Sequence, residues 1–167
     1  MKTALVFTVA QARLGLDISQ VEEVLPIVRL VKPPEMPKML RGFVNVGGAL
    51  IPVIRLENLL RLNTGSTPWA PEIDLSSTII VADLSGLKVA WMAGADANIL
   101  TYPVADTVRL PADHVLNNCA ERVIARTPPE PSIVLLDPAR LLLESERVRL
   151  AELQGREQER VAALADA

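Results

Sequence analysis

Histidine and cysteine, two side-chain types often used in acid–base and nucleophilic catalysis, occur once each in this sequence. His114 is the only histidine and stands beside Asp113, so it could act as a general base oriented by a carboxylate. A histidine whose sole support is one acidic neighbour is more often a surface residue. Cys119 is the only cysteine, and no adjacent positive charge lowers the pKa of its thiol. We therefore interpret Cys119 as a buried structural residue.

The sequence also lacks the patterns that hold metals and phosphates. A metal site needs at least three suitable ligands, and the single histidine and single cysteine leave only carboxylates, which do not cluster. The pair Gly47-Gly48 fits neither glycine-rich phosphate-binding pattern. We therefore expect no enzymatic activity, no cofactor and no metal. A small ligand-binding protein or hydrolase that uses His114 is kept as a remote alternative.

Composition excludes several other classes of protein. The chain has 167 residues, of which 50% are hydrophobic and 22% charged, so it is long and apolar enough to form a core. The net charge is −3, and the lysines and arginines are scattered along the sequence and form no basic stripe. Both observations argue against nucleic acid as a partner. Apolar runs are too short to span a bilayer. We expect a cytoplasmic protein without direct membrane insertion.

Three β-hairpins are predicted from alternating apolar residues that flank turn residues. Their strands cover residues 5–9 with 13–17, residues 43–46 with 49–54, and residues 78–82 with 87–92. The second hairpin turns at Gly47-Gly48, where glycine supplies the positive φ values of a tight turn. Further strands are expected at 27–31, 99–102, 122–126 and 133–136.

Two helices are predicted from capping signals. Ser19 and Glu22 have capping-box spacing, which predicts a helix that ends near Leu25 and buries the apolar side chains at positions 21, 24 and 25. Asp137 followed by Pro138 predicts a second helical start. The charged, leucine-bearing segment after it is expected to be helical and to fray beyond about Leu153, because Gly155 interrupts it.

An internal repeat suggests two similar lobes. Residues 53–60 and 135–142 share an apolar strand end, a polar cap and a short helix, about half the chain apart. The polar, proline-containing segment 63–77 is the best boundary between lobes.

The segments at 5–8, 21–25, 39–48, 51–56 and 133–142 resemble the CheW-like domain family in order and spacing. The resemblance implies a mainly β fold. It consists of two intertwined SH3-like five-stranded β-barrels with short helices and a C-terminal helix. The domain would occupy residues 1–146, with the barrels dividing near 63–77, and residues 147–167 would form a helical tail.

The same resemblance implies a non-catalytic adaptor. Such proteins couple methyl-accepting chemoreceptors to a CheA-type histidine kinase in chemosensory arrays at the membrane. The cytoplasmic tip of the receptor would dock in a groove, and the regulatory domain of the kinase would bind through barrel ends. The resemblance places the receptor groove at Glu23, Asn45, Gly47 and Gly48, and a kinase-binding edge at Trp91 and Met92.

Several residues depart from the family pattern. Gly47 replaces the arginine of the family's Asn-Leu-Arg-Gly turn, and Arg55 stands where an aspartate is usual. Residues 94–96 also differ from the family, and Trp91 is unusually large for its position. These departures support an alternative: a divergent paralogue that binds the kinase but not the receptor, or that acts outside motility.

Overall fold

The structure is a computed structural model that describes residues 1–62, 77–111 and 119–165. Within these ranges the chain forms eleven strands and two α-helices, joined by short 3-10 turns at Ile18–Gln20, Val104–Asp106 and Pro138–Arg140. In chain order the elements are β1 Lys2–Val9, β2 Ala12–Asp17, β3 Val21–Pro26, β4 Leu40–Val46, β5 Ala49–Ile54, α1 Leu56–Leu59, β6 Thr78–Leu84, β7 Leu87–Ala93, β8 Asn98–Tyr102, β9 Thr107–Arg109, β10 Ala120–Ile124, β11 Ile133–Leu136 and α2 Glu144–Ala165.

The strands form two curled sheets, and the first sheet combines strands from both ends of the chain while the second is built from the strands between them. The first sheet has six strands in the order β8-β1-β2-β11-β10-β9, and the second has five in the order β3-β6-β7-β5-β4. The N-terminal hairpin therefore belongs with the C-terminal strands. The expected mainly β fold is confirmed, and the two curled sheets are consistent with SH3-like barrels; the first has one strand more than expected.

The internal repeat is also present in the structure. In the first sheet, β11 lies parallel to β2, the second strand of the hairpin β1–β2. In the second sheet, β5 lies parallel to β7, the second strand of the hairpin β6–β7. Strands β5 and β11 each lead directly into a helical turn, α1 after β5 and Pro138–Arg140 after β11. Asp137 caps the latter by accepting the Ala139 N–H at 3.0 Å.

Successive side chains point to opposite faces of a strand, so the buried side chains form three separate apolar clusters: one between the sheets and one inside each barrel. In β1, Leu5 and Phe7 face a large core between the two sheets, while Val6 faces the inside of the first barrel. Side chains such as Val44 fill the inside of the second barrel, against Ile79. The two barrels are thus held together by an apolar layer that both of them build.

The expected lobe boundary near 63–77 is wrong. Strand β5 before it and strand β6 after it belong to the same sheet. Nearly all of the segment itself lies outside the described residues. Composition alone does not distinguish a linker between domains from a connection between two strands of one sheet.

The prediction of a helix that begins at Ser19 is wrong as well. Asp17 accepts the Ser19 N–H at 2.9 Å and closes a single 3-10 turn. The chain then extends as β3, whose residues pair with β6 along the strand. Val24, expected to be buried, is exposed. The strand expected at 27–31 is reduced to one bridge between Val31 and Phe43.

The predicted helical start at Asp137-Pro138 gives only a 3-10 turn, and the C-terminal helix begins later than predicted but extends further. It starts at Glu144 and continues without a break through Gly155 to Ala165, so the expected fraying beyond Leu153 is wrong. Leu150 is completely buried in the core between the sheets, and this packing compensates for the low helix propensity of the glycine. No helix in the described ranges combines the length and apolar composition needed to cross a membrane.

Candidate functional site

The turn between β4 and β5 carries three of the four residues expected to bind a receptor. Gly47 and Gly48 have φ values of +59° and +92°, which match a tight two-residue hairpin. Asn45 stabilises the turn, because its side-chain oxygen accepts the Gly48 N–H at 2.9 Å. Asn45, Gly47 and Gly48 are all exposed, so the turn presents a rigid, polar surface to solvent.

Gly47 lies in open space. A β-carbon built on it meets no atom within 4 Å, so a larger side chain would fit there. The positive φ is the only obstacle, and a left-handed backbone costs a residue other than glycine about 1 kcal/mol. The position where the family carries arginine is therefore sterically free in this chain.

Glu23 is exposed but lies at the other edge of the second sheet. It is in β3, whereas the turn joins β4 to β5, and β6 and β7 lie between them in the strand order. A register shift between Val21 and Glu23 interrupts the pairing with β6. The structure thus joins Asn45, Gly47 and Gly48 in one turn and places Glu23 on a separate edge strand.

The remaining departures from the family pattern lie in structural contacts. Arg55 is half-buried, and this burial lowers the pKa of its guanidinium, with the charge of Arg41 adding to the effect. Asp96 accepts hydrogen bonds from Thr8 and Arg13, both at 2.7 Å. The loop after β7 in the second sheet is in this way fastened to β1 and β2 in the first.

The expected kinase-binding edge does not lie on an edge. Trp91 and Met92 are in β7, which has β6 on one side and β5 on the other. The indole of Trp91 is 0% exposed and its ring centroid lies 5.7 Å from that of Phe7. Met92 is half-buried against the inside of the second barrel. Trp91 cannot contact a partner in this fold, and its large side chain fills the core between the sheets instead.

The candidate catalytic residues gain no support. His114 and Asp113 lie outside the described residues. Cys119 is buried, and burial raises the pKa of its thiol to about 11, which leaves little reactive thiolate at neutral pH. Among the described residues no group of three or more histidine, cysteine and carboxylate side chains could hold a metal ion.

Two glutamines of α2 form hydrogen bonds with the backbone at and just after the β4–β5 turn. Gln158 donates to the Gly48 carbonyl at 2.9 Å and accepts the Leu50 N–H at 2.9 Å. Gln154 donates to the Leu50 carbonyl at 2.8 Å. Sequence reasoning missed both residues. Their four-residue spacing, which places them on one face of a helix, was the one signal available.

Comparisons with known proteins agree with this geometry. The family model for the CheW-like domain matches residues 3–146. Among solved structures, the crystal structure of the scaffolding protein TtCheW from Thermoanaerobacter tengcongensis is similar, with a TM-score of 0.72 and 23% sequence identity. The similarity covers 87% of this chain and 91% of that one. A comparison with curated proteins found no match. From the family match and the intertwined barrels together, we conclude that the chain belongs to the CheW-like domain family.

Proposed function

We propose that this protein is a non-catalytic adaptor that couples methyl-accepting chemoreceptors to a CheA-type histidine kinase in a bacterial chemosensory array. Its place of action would be the cytoplasmic side of the membrane, where it would bind the receptor's cytoplasmic tip and the regulatory domain of the kinase. The observation that carries the proposal is the family match over residues 3–146, which spans both barrels.

The surface chemistry supports an adaptor over an enzyme. The Asn45–Gly48 turn is exposed and held rigid by the Asn45 side chain. A preformed turn binds a partner with little loss of conformational entropy. The one cysteine is buried with a raised thiol pKa. We assign receptor contact to this turn, and a second, separate receptor contact to Glu23 on the opposite edge strand.

Binding to both partners tests the proposal. The protein would be titrated calorimetrically with the regulatory domain of a CheA-type kinase from the same cell, and separately with a receptor cytoplasmic tip. We expect micromolar or tighter binding to each, because signalling adaptors of this kind depend on reversible contacts. No binding to any such kinase would remove the adaptor function and leave only the fold.

A second candidate function rests on Gly47. Without an arginine the turn lacks a charge-assisted, bidentate donor. A paralogue that binds the kinase but not the receptor would compete with an ordinary adaptor or serve a pathway other than motility. Binding to the kinase together with no binding to the receptor tip would favour this second function.

Restoring the arginine is expected to strengthen receptor binding. Gly47→Arg places a guanidinium in open space at the tip of the turn. A hydrogen bond to a charged group stabilises a complex by about 1.5–3 kcal/mol. The left-handed backbone is strained equally in the free and the bound protein, so it lowers the stability of the fold and not the affinity. We expect the affinity for the receptor tip to rise by about tenfold or more, as measured by titration of both variants.

Gly47→Ala is the matched control for that experiment. It imposes the same backbone strain without adding a charge, so its affinity for the receptor tip should not exceed that of the wild type. An unchanged affinity for Gly47→Arg would show that the turn does not contact the receptor through this position.

A further inference from the structure

Helix α2 crosses one end of the second sheet, from the turn between β6 and β7 to the turn between β4 and β5. Near its start, Arg147 donates to the carbonyl oxygens of Leu84 at 2.6 Å and Ser85 at 3.0 Å. Leu150 is buried one turn later. The N-terminal half of the helix is thus anchored at one turn of the sheet, while its C-terminal half lies against the other.

The part of α2 from Leu153 onward, here called its C-terminal half, covers the side of β5 that β7 leaves unpaired. Strand β7 pairs with β5 only at Val53 and Ile54, so the backbone of Gly48 and Leu50 lies beyond that ladder; we call these backbone groups the β5 edge. Gln154 and Gln158 make three hydrogen bonds to it, from 2.8 to 2.9 Å. Their side-chain amides take the place of a neighbouring strand, which satisfies backbone groups that are costly to leave unpaired.

These contacts define what the β5 edge recognises. The helix that occupies it carries amide side chains four residues apart, and beside them the half-buried Leu153 and Val161 pack against the core between the sheets. The site is therefore suited to an amphipathic helix whose apolar stripe is bordered by two side-chain amides. A partner helix with the same arrangement would satisfy the same backbone groups.

Three features of the C-terminal half of α2 oppose its docking on the sheet. A β-carbon on Gly155 would meet no atom within 4 Å, so packing does not require this glycine, which disfavours the helix by about fivefold relative to alanine. Glu157 has a side chain only 5% exposed and is paired with Arg160, which is half-exposed. A buried carboxylate on a packing face opposes docking. Leu164, near the end, is 63% exposed.

We propose that the β5 edge is a helix-binding site that α2 occupies within the same chain, and that a helical segment of the receptor tip binds there in its place when the C-terminal half of α2 unwinds and leaves. This inference rests on the proposed receptor coupling and adds its regulation. The turn and the β5 edge are consecutive in the chain, so a helix seated on the edge also contacts Gly48. Receptor binding then depends on the fraction of molecules in which α2 has left.

Two substitutions that shift α2 in opposite directions test the inference. The release variant Gln154→Ala with Gln158→Ala removes the amides, and the docking variant Gly155→Ala favours the helix without new contacts. Affinity for an isolated receptor tip would be measured by titration calorimetry. We expect the release variant to bind about tenfold more tightly than the wild type, and the docking variant about fivefold more weakly.

Hydrogen exchange gives a second readout that does not need the receptor. The Leu50 amide donates to Gln158, so it should exchange faster in the release variant and more slowly in the docking variant. Glu152→Ala, which changes an exposed residue of the same helix, is the matched control and should leave both affinity and exchange near the wild-type values. Circular dichroism melting would show that each variant is folded.

The outcomes separate the inference from the proposed function. Equal receptor affinity in the wild type and both variants would keep the receptor role and overturn the inference alone. No receptor binding by the wild type and the release variant alike would overturn both. A release variant that dimerises in sedimentation experiments, with its Leu50 amide protected, would assign the β5 edge to a second copy and overturn competition by the receptor.

Discussion

Replacing Trp91 with alanine is expected to destabilise the protein by about 3–5 kcal/mol, the range found for removing large aromatic side chains from cores. The indole is completely buried between the two sheets and contacts the Phe7 ring. Its loss leaves a cavity in the layer that holds the barrels together. Denaturation by urea, followed by far-UV circular dichroism, measures the change in the free energy of unfolding.

Trp91→Phe is the matched control for this prediction. Phenylalanine keeps an aromatic ring beside Phe7, and it removes the indole N–H, which is buried without a hydrogen-bond acceptor. An unsatisfied buried donor destabilises the folded state, so its removal offsets part of the lost packing. We expect Trp91→Phe to cost much less than Trp91→Ala. Similar losses for the two variants, or a loss below about 1 kcal/mol for alanine, would contradict the assignment of Trp91 to the core.

Gly42→Ala is expected to destabilise the protein by about 3 kcal/mol, through overpacking and backbone strain together. Gly42 has a φ of +154° and sits at a register shift between β4 and β5. A β-carbon there would lie 2.8 Å from the Val31 carbonyl oxygen. That oxygen cannot easily move, because it accepts the Phe43 N–H at 2.7 Å. Urea denaturation measures the loss.

Gly48→Ala separates the two causes. Gly48 also has a positive φ, at +92°, but a β-carbon on it meets nothing within 4 Å. This variant therefore carries backbone strain without a clash, and we expect it to cost about 1 kcal/mol. Faster hydrogen exchange at the Phe43 amide should accompany Gly42→Ala alone. An equal loss of stability in the two variants would mean that the close contact with the Val31 carbonyl oxygen is not the reason why residue 42 must be glycine.

The elements that the sequence predicts correctly are those with local determinants. The hairpin at Gly47-Gly48 forms because its turn residues and its alternating strands agree, and both signals lie within a few residues. The step from β11 to the 3-10 turn at Pro138–Arg140 follows from the Asp137-Pro138 pair in the same way. Family membership was predicted from runs of this kind, and the family match confirms it.

The errors arise where distant pairing overrides a local signal. Ser19 and Glu22 have the spacing of a helix start, but Val21–Pro26 lies opposite β6 and pairs with it across more than fifty residues of chain. The hydrogen bonds of Gln154 and Gln158 to the β5 edge span 104 to 110 residues. No local pattern reports contacts of this separation, so that part of the candidate site could not be predicted.

Burial is the other quantity that the sequence did not supply. Trp91 sits in an apolar run that fits an exposed edge strand or an inner strand equally well. The parallel pairing of β5 with β7 decides between them, because it places Trp91 opposite Ile54 in the middle of a sheet. A partner-binding role for Trp91 was wrong for this reason.

The parallel pairing of β2 with β11 has a consequence for synthesis of the chain. Leu14 and Gly15 pair with Val134 and Leu135, so the hairpin of β1 and β2 leaves the ribosome long before the strand that pairs with it. The second sheet, contained within residues 21–93, can form while translation continues. Throughout that interval one side of β2 is an open strand edge, the kind of surface that promotes aggregation. Nascent chains that stall before residue 133 are therefore the species that most need protection by chaperones.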